Sequence, residues 1–131
     1  MNHEEAFIRA FVLPDRQHRW TELLLNERRR SVFTHRLADP IDIDTRWAVA
    51  IPPSEHTSGC IAALLRSRGA PPQCHLISEY PTLDGTEVQL SDALDTIVGS
   101  GVGSVVSCLP GVLAYYEGEV RTRFILQRRP T

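Results

Sequence analysis

The sequence predicts an α+β fold: N-terminal helices packed on a mixed, partly parallel sheet of about five strands (a β-α-β-α-β core) that ends in a C-terminal antiparallel meander. Three observations predict it. Apolar residues recur at helical spacing through the first third of the chain. Beyond it, short runs of strand formers alternate with helical stretches, the order that gives parallel strands joined by crossovers. Two turn dipeptides, Pro110-Gly111 and Gly118-Glu119, then fold the last third back on itself. A single domain over residues 1–131 is expected, with a helical part at 1–39 and a mixed-sheet part at 46–131.

The first helix is expected over residues 3–13, carrying Phe7, Ile8, Phe11 and Val12 and stopped by Pro14. Asp15 can cap a second over 15–30, with Trp20, Leu23, Leu24 and Leu25 on one stripe. Ser31 can cap a short third helix bearing Val32, Phe33 and Leu37 and ending before Pro40. "RWAVAIPP" reads as the first strand, closed by its prolines. "SEHTSGCIAALLRSRG" follows as a helix with Gly69 as its stop. "QCHLISEY" reads as the second strand, residues 82–88 as a turn at Asp84-Gly85 with room for a short strand, "LSDALDTIVG" as a helix capped by Ser91, and "SVVSCL" as the third strand of the core.

"VGSGVGSVVSCLPGVLAYYEGEV", residues 98–120, holds glycines at 99, 101 and 103. A dinucleotide fingerprint sets such glycines after a strand and at the start of a helix. Here they follow a helix and precede a strand, which suits a helix stop and a permissive connection instead. With two-residue loops at both turn dipeptides, Leu113 faces Phe124, Tyr115 faces Thr122, Cys108 faces Leu113 and Val106 faces Tyr115. Val106, Cys108, Leu113, Tyr115, Phe124 and Leu126 then share one apolar face, with Tyr116, Arg121 and Arg123 opposite. A one-residue slip would exchange the faces.

Composition excludes several classes. An apolar fraction of 42% with 23% charged residues is that of a globular chain. No apolar run nears the ~18 residues of a membrane span, and "MNHEEAFIRAF" lacks the basic and apolar regions of a signal peptide. A small soluble, bacterial-type cytoplasmic protein is expected. Cys60, Cys74 and Cys108 are odd in number and lack CxxC spacing, so buried reduced thiols are expected rather than disulfides. All 14 basic residues are arginine, each a planar fork suited to carboxylate or phosphate. The net charge of -2 argues against general attraction to nucleic acid.

In an open sheet with parallel strands, ligands bind beyond the strands' C-terminal ends. That edge would gather Ser54, Glu55, His56, Thr57 and Ser58 after the first strand, Ser78, Glu79 and Tyr80 after the second, and Asp84 in the turn. His56 would act as general base oriented by Glu79 or Glu55, with Ser54, Thr57, Ser58, Tyr80 and Asp84 holding an anion or ligand. The same serines also read as N-caps and Glu55 as a first-turn acid. His3, His18, His35 and His75 show no metal-ligand spacing, so neither metal nor cofactor is expected. Arg28, Arg29 and Arg30, with His35 and Arg36, form one cationic surface, and Arg121, Arg123, Arg128 and Arg129 another, although the acids at 22, 27, 39, 42 and 44 offset the first. The stripe at Trp20, Leu23 and Leu24 is either a seam onto the sheet or the surface of a homodimer or partner complex. Because each constellation has a plain structural role, the leading expectation is a non-catalytic interaction or regulatory domain with a protein partner or a second copy of itself. A hydrolase-like or transferase-like enzyme using His56 and Glu79 is the alternative, and arginine-mediated nucleic-acid binding a third.

Overall fold

The structure is a computed structural model that describes residues 2–128. Helix α1 spans His3–Phe11 and begins where the Asn2 side chain accepts the Glu5 amide at 2.7 Å. A 3-10 turn at Pro14–Arg16 leads into α2, Gln17–Leu24. The helix expected to run on to residue 30 ends here, because Asn26 turns the chain extended and accepts the Arg28 amide, and α3 then covers Arg30–His35. Further 3-10 turns carry the chain to β1, Ala48–Ala50. The rest runs α4 (Ser58–Ser67), β2 (Gln73–Ser78), β3 (Glu87–Gln89), α5 (Leu90–Ile97), β4 (Ser104–Leu109), β5 (Leu113–Glu117) and β6 (Arg123–Gln127).

The strands form one six-stranded sheet in the order β1-β6-β5-β4-β2-β3, antiparallel at every pairing. This corrects the expected partly parallel sheet of about five strands. Two reversals explain the difference. The short strand for which residues 82–88 leave room is β3, and it is a hairpin partner of β2, so the chain has already turned round before α5 returns it to β4, which pairs antiparallel with β2. β1 and β2 do point the same way, as a strand-helix-strand unit demands, but β4, β5 and β6 fill the space between them. The parallel relation is present in direction and absent in pairing.

Helices cover both faces. α1, α2 and α3 lie on the face of Ile77, Val105, Ala114, Tyr116 and Leu126. Helices α4 and α5 lie on the face of Leu76, Val106, Cys108, Leu113, Tyr115 and Ile125. Every residue of β5 is consequently buried. The hairpin loop between β5 and β6 is longer than two residues, so the pairs are Leu113 with Gln127, Tyr115 with Ile125 and Tyr116 with Phe124. That odd shift moves Phe124 and Leu126 to the opposite face from Tyr115, and Ile125 takes their place. Trp20 is 1% exposed, edge-on to Phe7 and Phe33, with its indole N–H donating to Asp42 at 3.0 Å. The stripe considered as a dimer surface is therefore core.

Candidate functional site

Because β1 and β2 point the same way, both deliver their C-terminal ends to one edge of the sheet, where β5 also ends and β4 and β6 begin. Along that edge Ser78 pairs with Ser104, Ser104 with Glu117, and Glu117 with Arg123. Four segments close over it: the turn at Pro53–Glu55 with His56, the glycine connection 98–103, the hairpin loop 118–122, and the chain leaving α3.

At the centre is Glu117, only 1% exposed. A buried carboxylate is costly unless hydrogen-bonded, and this one accepts the Gly99 amide at 3.1 Å, the Gly101 amide at 3.2 Å and the Tyr115 hydroxyl at 2.7 Å. Gly99 and Gly101 have φ of +84° and +71°, left-handed conformations that glycine adopts without strain and that accompany the turning of their two amides, but not that of Ser100 between them, onto Glu117. The glycine string is thus an anion cradle after all, but its anion belongs to the chain. Burial and the Glu117 bond push the Tyr115 phenol well above its usual range, keeping it a donor.

The third glycine serves a second acid. Gly103 donates its amide to Glu79 Oε1 at 2.9 Å, and its carbonyl accepts the Glu79 amide at 3.0 Å. Glu79 Oε2 faces His35 Nδ1 at 3.1 Å, and Glu119 comes up beside it, its carboxyl pushed upward by the hydrogen bond and charge of Glu79. Among the described residues, His35, Glu79 and Glu119 are the group whose donor atoms converge, all within 4.8 Å of one another.

A cavity of about 600 Å³ opens beside Glu117, lined by Pro53, His56, Gly99, Gly101, Glu119, Arg121 and Arg123. Arg123 Nε lies 3.4 Å from Glu117 Oε1, yet it is buried and has no hydrogen-bond partner among the described residues. Arg121 is held in a left-handed conformation at φ +51°, uncommon for a side chain of this kind. His56 Nε2 donates to the Ile51 carbonyl at 2.6 Å, which places the ring's proton there and leaves Nδ1 as its acceptor in the neutral form.

The residues singled out from the sequence distribute along this edge. His56 lines the arginine cavity, whereas Glu79 and Tyr80 line a smaller one of about 320 Å³ with Glu119. β1 and β2 stand four strand spacings apart, roughly 19 Å, and the structure does not bring His56 and Glu79 together. Thr57 caps α4 by accepting the Cys60 amide at 3.1 Å, Ser58 donates to Asp95 at 2.7 Å, and Ser54 is exposed in the preceding turn. Asp84 is held by Arg30, through Nε at 2.6 Å and Nη2 at 2.8 Å, and accepts the Ser78 amide. Arg28 and Arg29 are exposed, but Arg30 is drawn away from them into its pair with Asp84 and Glu4. Arg121 and Arg123 turn to the cavity while Arg128 lies over the Trp47 ring at 4.1 Å; Arg129 falls outside the described residues. Cys108 is buried, which pushes its thiol up to about 12.

Sequence reasoning missed Glu117, Glu119 and His35 as members of this edge. One signal was available: in "VLAYYEGEV" an acid continues a strand that is apolar on both faces, and such an acid must find donors. Comparison with protein-family models, with curated proteins and with solved structures finds no match to this chain.

Proposed function

We propose that the protein is a non-catalytic binding domain whose arginine cavity receives an anionic group, phosphate or carboxylate, of its ligand. The observation that carries this is Arg123. Arg123 pairs with Glu117 through Nε at 3.4 Å without an aligned hydrogen bond, and Glu117 already accepts from two amides and a hydroxyl, so the guanidinium keeps donors for a second anion at the cavity wall. A guanidinium carries five N–H donors, more than one carboxylate already shared with three other donors can take. Arg121 and His56 line the same space, which falls within the usual size of small-ligand pockets. The separation of His56 from Glu79 favours binding over acid–base catalysis by that pair, and among the described residues the dispersal of the arginines gives no continuous track for a nucleic-acid backbone.

The test is thermal unfolding of the full chain with increasing inorganic phosphate or citrate, using chloride at equal ionic strength as control. A melting temperature that rises with either anion, and loses that dependence in Arg123→Met and Arg121→Ala, supports the proposal. Equal behaviour in phosphate, citrate and chloride, or an unchanged response in the variants, overturns it.

A further inference from the structure

We propose that His35, Glu79 and Glu119 form a binding site for a first-row divalent cation, with Zn²⁺ the best match. This goes beyond the anion-binding reading and involves neither Arg121 nor Arg123.

Backbone contacts bring the three residues to one place, and one of them, Glu79, is held directly by a backbone amide. Glu79 is only 17% exposed in its side chain, and the Gly103 amide on Oε1 leaves Oε2 as the oxygen turned toward His35. His35 ends α3, and the chain three residues on accepts the Glu119 amide at the Ala38 carbonyl, 3.0 Å away. Gly103 lies on the same stretch: a Cβ there would stand 2.6 Å from Leu37 C and 2.7 Å from Ala38 N. Residues 79 and 119 are thus tied to residues 35–38, and these three segments each present one donor to a common point.

Spacing and chemistry agree with a metal. Metal–ligand bonds of about 2.0–2.2 Å put neighbouring donor atoms roughly 3–3.5 Å apart, and His35 Nδ1 and Glu79 Oε2 already stand at 3.1 Å. Glu119 is exposed, and its side chain has only to rotate to close the remaining gap from within 4.8 Å. Two carboxylates set side by side repel, and a cation relieves that repulsion. One imidazole nitrogen with two carboxylate oxygens suits Zn²⁺ or Mn²⁺; Mg²⁺ and Ca²⁺ prefer oxygen alone. Three protein donors leave a position of a tetrahedral ion to water. Glu119 also lines the arginine cavity, so the cation would sit on its rim.

The experiment is calorimetric titration of the metal-free full chain with ZnCl₂ alone near neutral pH, repeated with MgCl₂. The expected result is one saturable equivalent of Zn²⁺, bound more tightly than Mg²⁺ and weakened about tenfold or more in both His35→Ala and Glu119→Gln. Both side chains are exposed, so their circular dichroism should match the parent and a folding defect is separable from lost ligation. The proposal is overturned if no saturable Zn²⁺ binding appears, if Mg²⁺ binds as tightly, or if either variant loses less than about tenfold. Retention by the variants would assign the ion to another pair, such as His18 with Glu22 at 3.0 Å.

Discussion

Gly103 carries more of this site than its size suggests. A Cβ there would meet Glu79 Oε1 at 2.6 Å and two backbone atoms of the α3 exit at 2.6 and 2.7 Å, and backbone cannot yield as a flexible side-chain tip can. We expect Gly103→Ala to cost about 1–3 kcal/mol in urea unfolding, the range for overpacking. Gly59, in α4, has open space where its Cβ would go, so Gly59→Ala should be neutral or stabilise by up to about 1 kcal/mol. Equal effects at the two positions would refute the close-approach argument. The glycine string also shows what was legible at this scale. Its order relative to helix and strand excluded a dinucleotide loop, and the structure agrees that it is a connection. That its amides hold Glu117 and Glu79 was not legible, because only the register of β5 against β4 and the end of β2 bring those acids to the loop.

Among the elements, α1 is joined to the sheet and to α3 by charge. Glu4 takes two hydrogen bonds from Arg30, at 2.6 and 2.9 Å, and one from His75 at 2.8 Å; His75 also faces Glu87 and stacks on His3, which meets Ser107 at 2.7 Å. Burial alone would raise the Glu4 carboxyl, but His75 and Arg30 outweigh it and hold the group at about 2, against an ordinary 4.5. Its contribution, on the order of 2–3 kcal/mol, is present above pH 4.5 and lost as pH falls toward 2. The Glu4 bond raises His75 above 6.5, so its contribution is present below that value and lost as pH rises through the higher folded one. Burial and the charge of His75 lower His3, so its share is present above 6.5 and lost as pH falls through the lowered value. Melting temperature against pH should therefore fall steeply on the acid side, and Glu4→Gln should flatten that limb; a variant curve parallel to the parent would sink the assignment. The helices themselves were legible from apolar spacing. Their partners across the fold were not, and the helix expected over 15–30 was cut short by Asn26, whose side chain competes locally with helical hydrogen bonding.

For the whole molecule, one sheet separates two cores, so Phe33 and Leu65, both at 0% exposure, lie on opposite faces. Phe33→Ala and Leu65→Ala should each cost about 2–5 kcal/mol and add to within about 0.5 kcal/mol in the double variant. Tryptophan fluorescence and far-ultraviolet circular dichroism should report one coincident urea transition; separate transitions would show the faces unfolding independently. Strand number and pairing were the least legible features. Residues 82–88 leave room for a short strand, but three residues are too short a pattern to show that β3 pairs back on β2 and reverses the chain before β4; a longer hairpin loop likewise displaced β6 against β5. Local turn chemistry proposes such choices, and the burial of both faces decides them. The two outermost strands have a further consequence. β1 and β3 pair over only three residues each; Pro52 and Pro53 follow soon after one and α5 begins directly after the other. Such stubs leave few free amides and carbonyls for an incoming chain, so the molecule is guarded against edge-to-edge aggregation.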